Sequence, residues 1–315
     1  MRKPIIFDCD PGHDDAIALL LALSSEQLDV KLITTAAGNQ TQDKTILNAR
    51  KLLSFIGVHH VEIARGAEKP IVRELIIADN IHGETGLDGA DLGVPIVEES
   101  NRSALEAMRS ILLNAEGKMT IIATGPLTNV AILFLAYPEL KEKIECISLM
   151  GGCGFGGNWT PAAEFNIYVD PEAADIVFRS GVPIIMSGLD VTHKAQILKE
   201  DIERIRRIDN KTSRVIASLL DFFSENSPPY YLSKEPHIKT AHLHDPCAVA
   251  YLIDQTLFQG IDCYVGIETS GRLTTGCTVV DINRRSGMES NVKFLFDIDR
   301  ERFIDRIVSA IKYFR

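Results

Sequence analysis

The octet Asp8-Cys-Asp-Pro-Gly-His-Asp-Asp15 holds four carboxylates, with His13 the one histidine among them. An apolar run, Ile5 to Phe7, leads in. Pro11-Gly12 breaks it, and an apolar segment from Ala16 to Leu23 follows, so the pattern reads strand, turn, helix. Alternation puts Asp8 and Asp10 on the same side of the strand as it ends. Asp14 and Asp15 fall in the first turn of the helix, where the macrodipole favours carboxylates. A single Asp there would be an ordinary helix cap. Four so close repel one another too strongly for capping alone, and a bound cation resolves the repulsion. All-oxygen ligands suit a hard ion, Ca²⁺ or Mg²⁺, rather than zinc.

Two common motifs fail on this stretch. An EF-hand loop starting at Asp8 needs an acidic residue or Asn where Gly12 stands, and a Glu where Leu19 stands. The Asp-x-Asp of haloacid-dehalogenase phosphatases fits Asp8 and Asp10 but expects Thr or Val at the position of Gly12. The stretch does resemble the opening D-x-D-P-G-x-D-D of the inosine-uridine nucleoside hydrolases, and Asp8 to Asp15 matches every fixed position.

The elements that position these residues follow from the apolar periodicity. Strands are expected over 29–35, 61–64, 118–124, 144–150 and 182–187, with helices over 41–55, 101–115 and 171–179 between them. Pro126 is placed as the first residue of a further helix. The long stretch from Arg65 to about Pro95 is expected to be a functional loop. This alternation implies right-handed βαβ units: an α/β fold, one domain over 1–315, with a mostly parallel, Rossmann-like sheet flanked by helices. The final third adds helices over 200–208, 212–226, 245–253 and 301–313, and strands near 263–269, 278–282 and 292–296.

In an open parallel sheet the ligand crevice lies beyond the carboxyl ends of the strands. Asp8 to Asp15, Asn39, Thr124-Gly125 and the glycine run with Asn158, Glu164 and Asn166 all sit at such ends. Amides and carboxylates at four strand ends suit the neighbouring hydroxyls of a sugar. From Met150 to Asp170 there is no basic residue. A phosphate would be repelled there, which favours hydrolysis over phosphorolysis.

The resemblance to the nucleoside hydrolases covers essentially the whole chain. A-G-N at 37–39, G-P-L-T-N at 125–129, M-G-G at 150–152, E-F-N at 164–166 and H-D-P at 244–246 are similar to family motifs. The loop at 79–89 and H-K at 193–194 look most like the pyrimidine-preferring bacterial members. The resemblance implies Ca²⁺ held by Asp10, Asp15, the main-chain carbonyl of Thr124 and Asp245. It implies ribose bound by Asp14, Asn39, Asn158, Glu164 and Asn166, with Met150 nearby, and the base near Phe165, His82 and His244. It also implies a homotetramer or dimer.

A net charge of −10 leaves no basic stripe for nucleic acid. No apolar run is long enough to span a bilayer, no signal peptide is evident, and six scattered cysteines read as free thiols in a reducing cytoplasm. His59 and His60 read as a surface turn. His13 reads as a packed or hydrogen-bonded spacer, and His244, beside Asp245, as a site residue. The segment Tyr230 to His242 is expected to close over the base.

The resulting expectation is a Ca²⁺-dependent ribonucleoside hydrolase that gives ribose and free base, with uridine and cytidine as substrates. Asp10 would be the base toward water, and His82 or His244 would assist the leaving group. The rival readings are an Asp-x-Asp phosphotransferase and a non-catalytic, Ca²⁺-stabilised nucleoside-binding protein.

Overall fold

The computed structural model describes residues 2–228 and 240–315. In chain order the strands of its main sheet begin with β1 (Lys3–Cys9), β2 (Leu28–Thr35), β3 (Glu62–Arg65), β4 (Met119–Ala123), β5 (Ile144–Met150) and β6 (Ile184–Ser187). A two-stranded ribbon of β7 (Gln196–Ile197) and β8 (Ala241–His242) comes next. The main sheet is completed by β9 (Phe258–Ile267), β10 (Thr278–Asp281) and β11 (Val292–Ile298).

Across the main sheet the order is β10-β9-β11-β6-β5-β4-β1-β2-β3. Every pairing from β11 to β3 is parallel, and only β9 runs antiparallel to its two neighbours. The expected mostly parallel sheet is therefore present, with an antiparallel edge from the final third. The chain winds outward from β1 to β3 and then returns to β4 on the other side of β1. Strand order reverses between β1 and β4, which makes that gap the place where a crevice opens.

Alternation along β1 sends Ile5, Phe7 and Cys9 to one face of the sheet and Ile6 to the other, all of them buried. The first face packs against helices His13–Ser24, Gln42–Phe55, Lys211–Asn226, Pro246–Ile253 and Arg300–Tyr313. The second packs against Ala104–Asn114, Thr128–Ala136 and Pro171–Phe178. The first helix is buried from His13 to Ala22, apolar on all sides after its first turn, as a helix enclosed by neighbours must be. Removing the Phe7 ring, which is 0% exposed in the central strand, should cost about 3–5 kcal/mol. A Phe7→Ala urea midpoint close to wild type would show that this face is not the core.

Several boundaries differ from the periodicity. The helix after β4 starts at Thr128 with Leu127 as its cap, so Pro126 lies outside it and belongs to the turn beside Asp10. The 65–95 stretch contains a helical turn, Asp79–His82, which a four-residue span cannot announce by period. Phe165–Val169 is also a short helix, nucleated by Glu164, whose carboxylate accepts from the main-chain N–H of Asn166 and Ile167. β9 starts at Phe258, five residues earlier than the apolar pattern suggested, because its first five residues are all partly or fully exposed and carry no apolar alternation.

Candidate active site

The reversal of strand order brings the end of β1 beside the end of β4, where the N–H of Thr124 donates to the Asp8 carbonyl at 2.9 Å. Asp8 itself turns into structure: its Oδ1 accepts from Thr34 Oγ1 at 2.5 Å and Asn129 Nδ2 at 2.8 Å. Asp10, two residues on, is fully buried beneath the crevice. Its Oδ2 accepts from the Asn39 main-chain N–H at 2.7 Å, whereas Oδ1 has no partner among the described residues. Gly38 and Gly125 flank this carboxylate so closely that a Cβ at either would meet an Asp10 oxygen, at 2.1 and 2.6 Å.

Asp15 caps its own helix by accepting from the Gly12 N–H at 3.0 Å, and it also accepts from Asn39 Nδ2 at 3.1 Å and Thr124 Oγ1 at 2.7 Å. Carboxylate oxygens of Asp14, Asp15 and Asp245 lie within 4.8 Å of one another, all buried. Asp245 reaches them from the turn that begins the helix Pro246–Ile253. Burial first, and then the neighbouring carboxylates, push Asp14 up to about 7 and raise Asp10 and Asp245 well above the usual range. Among the described residues no lysine or arginine pairs with these groups. A hard cation would reverse these shifts by favouring every charged form. The donor set, all carboxylate and carbonyl oxygen with one orphaned buried oxygen on Asp10, fits such an ion.

Above this cluster opens a cavity of about 640 Å³. Its walls include Asp14, Asn39, His82, Thr124, Met150, Asn158, Glu164, Phe165, Asn166, His244 and Asp245. Of the residues singled out in the sequence, only Asp10 and Asp15 lie beneath the walls rather than in them. Glu164 accepts from the N–H groups of Gly152 at 2.9 Å and Asn166 at 3.0 Å, and burial still pushes it up to about 7. Asn166 donates to the Thr124 carbonyl at 2.8 Å and the Met150 carbonyl at 3.2 Å, tying β4 to β5 across the site. Asn158 holds the start of the short helix through the Phe165 N–H at 2.9 Å.

The histidines divide into two groups. His82 and His13 bring their Nδ1 atoms to 3.2 Å, and both rings stack on Phe223. Gly12 permits this, since a Cβ there would lie 2.6 Å from His82 Nδ1. His13 is the hydrogen-bonded spacer expected, its Nε2 2.8 Å from the Asp88 carbonyl. A second group, His193, His242 and His244, clusters with ring centroids 5.2–5.8 Å apart. Burial lowers all three, His242 to about 4, His193 to about 3 and His244 well below the usual value.

Trp159, Phe223 and His193 line the cavity without a role there read from the sequence, whereas His242 ends the segment expected to close over the base. His242 is the last residue of β8, two before His244, and both line the cavity. The others come from loops and helix ends with no period to read. Of the segment expected to close over the base, residues 230–239 lie outside the described residues.

The chain matches the inosine-uridine preferring nucleoside hydrolase family over residues 5–305. It belongs to that family. Among the curated relatives, the pyrimidine-specific ribonucleoside hydrolase RihA of Photobacterium profundum is 53% identical over 311 residues, covering 99% of each chain. The RihA of Salmonella arizonae is 52% identical over 314 residues, with both chains covered at 100%. Among solved structures, the purine-preferring ribonucleoside hydrolase of Gardnerella vaginalis superposes with a TM-score of 0.90 at 29% identity, covering 98% of each chain.

Proposed function

We propose that this nucleoside hydrolase cleaves the N-glycosidic bond of pyrimidine ribonucleosides, uridine and cytidine, giving ribose and the free base. The observation that carries the reading is one cavity lined by Asp14, Asn39, Glu164 and Asn166 above buried carboxylates that no lysine or arginine among the described residues neutralises. The pyrimidine preference rests on the names of the RihA relatives. Among the described residues no lysine or arginine lines the cavity, so water rather than phosphate suits it as nucleophile.

Asp10, Asp15, Asp245 and the Thr124 carbonyl would hold Ca²⁺, with Asp14 close enough to share it. When bound, the ion supplies positive charge that favours ionisation of a water and orders the vicinal ribose hydroxyls. Asp10 takes a proton from the attacking water through Oδ1. As the water oxygen closes on C1′, the C1′–N bond breaks and its electron pair leaves with the base. Positive charge develops at C1′, and the Asp14 and Glu164 carboxylates lower its energy. His82 and His244 stand at the base end, where hydrogen bonds from the wall ease departure. The enzyme would act in the cytoplasm as a dimer or tetramer; among the described residues no helix is long and apolar enough to cross a membrane.

The test is release of free base from uridine, cytidine and inosine by the calcium-loaded protein. Uracil and cytosine should appear with reducing sugar; faster release of hypoxanthine would overturn the base preference, and no free base at all would overturn the hydrolase reading. Stripping the ion with a chelator should abolish turnover and lower the melting temperature. An ion bound only to the native state stabilises it by about 2.7 kcal/mol at a hundredfold excess over Kd. Full activity in a preparation shown to be metal-free would exclude this use of the carboxylate cluster.

A further inference from the structure

We propose that Thr192 is a positioning residue: its hydroxyl fixes the tautomer of His244, so that the neutral ring presents Nε2–H to the departing base. The inference rests on the hydrolase reading above and deepens it.

Thr192 ends the helical turn Leu189–Thr192 that follows β6, and it is 0% exposed. Its main-chain N–H donates to the Gly188 carbonyl at 3.0 Å. Its Oγ1 lies 2.7 Å from His244 Nδ1, the one partner of that hydroxyl among the described residues. The two residues are held by main chain rather than by chance contact. β7 and β8 pair Gln196 with His242 and Ile197 with Ala241, and the Leu243 N–H donates to the Ala195 carbonyl at 2.9 Å. The approach of Thr192 to His244 is therefore set by a short ribbon that closes both segments.

A neutral imidazole carries one hydrogen, on Nδ1 or on Nε2. With hydrogen on Nδ1, in the neutral ring or in the imidazolium, the Thr192 hydroxyl could only accept, and its own hydrogen would be buried with no partner among the described residues. Leaving a buried donor unsatisfied disfavours that arrangement by roughly ten- to a hundredfold. Thr192 therefore donates to Nδ1, and the hydrogen of His244 sits on Nε2. His244 lines the cavity, and its Nε2 has no hydrogen bond among the described residues. A hydrogen bond from that N–H to the base stabilises the negative charge that arrives with the electron pair of the broken C1′–N bond. No proton need leave the ring; the base takes its proton from solvent afterwards.

The role predicts a dependence on the leaving group. Thr192→Val keeps the side-chain shape and removes the hydroxyl, and Thr192→Ser keeps the hydroxyl. With uridine, kcat of Thr192→Val should fall by roughly tenfold or more, because one aimed donor at developing charge contributes at least that much. With 4-nitrophenyl riboside, whose leaving group needs no assistance, it should stay near wild type. Thr192→Ser should restore uridine turnover. Long-range ¹H–¹⁵N correlation spectra of the imidazoles give a readout independent of turnover. In wild type His244 should show a pyridine-like Nδ1 and a pyrrole-like Nε2, and Thr192→Val should lose that bias. Hydrogen on Nδ1 in wild type, equal losses on the two substrates, or unchanged uridine turnover in Thr192→Val would each overturn the proposal. Wild-type protein that released no uracil would instead overturn the hydrolase reading, and the spectrum would still decide the tautomer.

Discussion

2′-Deoxyuridine is expected to be hydrolysed with kcat/KM lower than that of uridine by roughly 10⁴-fold, the scale on which sites built around a hydroxyl reject an analogue that lacks it. The proposed ribose-binding groups are buried and already committed to one geometry. Asn39 is fixed through both its main-chain N–H and its Nδ2 to Asp10 and Asp15. Asn166 is fixed through Nδ2 to the carbonyls of Thr124 and Met150. These amides cannot turn away to find new partners when the 2′-hydroxyl is missing, so the acceptors that served it lose a fixed partner. The measurement is steady-state hydrolysis of both nucleosides by the calcium-loaded protein. Comparable kcat/KM would remove the ribose assignment for these residues and leave only a glycosidase indifferent to its sugar.

Asp10→Asn is expected to lower kcat by about 10²–10⁴, the range for loss of a positioned general base. The structure makes the substitution informative. The amide oxygen can take the place of Oδ2 and still accept from the Asn39 N–H, now at 2.7 Å from the carboxylate, so the turn need not move. The NH₂ then stands at the orphaned Oδ1 position, where it cannot accept a proton. Ribose affinity should change much less, because Asp14, Asn39 and Asn166 keep their contacts. Single-turnover kinetics should be paired with a direct measurement of bound calcium. A fall of less than about tenfold with the ion still bound would assign the base to another residue. Loss of the ion would show Asp10 acting as a ligand.

The lettering around Asp8 to Asp15 determined a good deal. A carboxylate-rich turn between an apolar strand and an apolar helix has few stable arrangements, and Asp14 and Asp15 do lie in the first turn of that helix. Alternating strands and helices required a largely parallel sheet, and the polar residues at the strand ends do meet at its crevice, from Asn39 after β2 to Asn166 beyond β5. These features are local, or follow from chirality and burial, which act on every segment alike.

What the sequence left open depended on contacts between distant segments. Asp8 and Asp10 look equivalent two residues apart, yet Thr34 and Asn129 engage the first while the second keeps a bare oxygen beneath the cavity. Asp14 and Asp15 are neighbours in the sequence, but the carboxylate of Asp245 that the fold sets beside them arrives from 230 residues later in the chain. The pairing of His13 with His82, and of Thr192 with His244, has no periodicity at all. The first exists because the stretch after β3 brings His82 to the start of the first helix, the second because the β7–β8 ribbon holds the turn after β6 beside His244. Residue types set which groups could do chemistry; the meeting of strand ends decided which of them have partners, which are left bare, and which face the substrate.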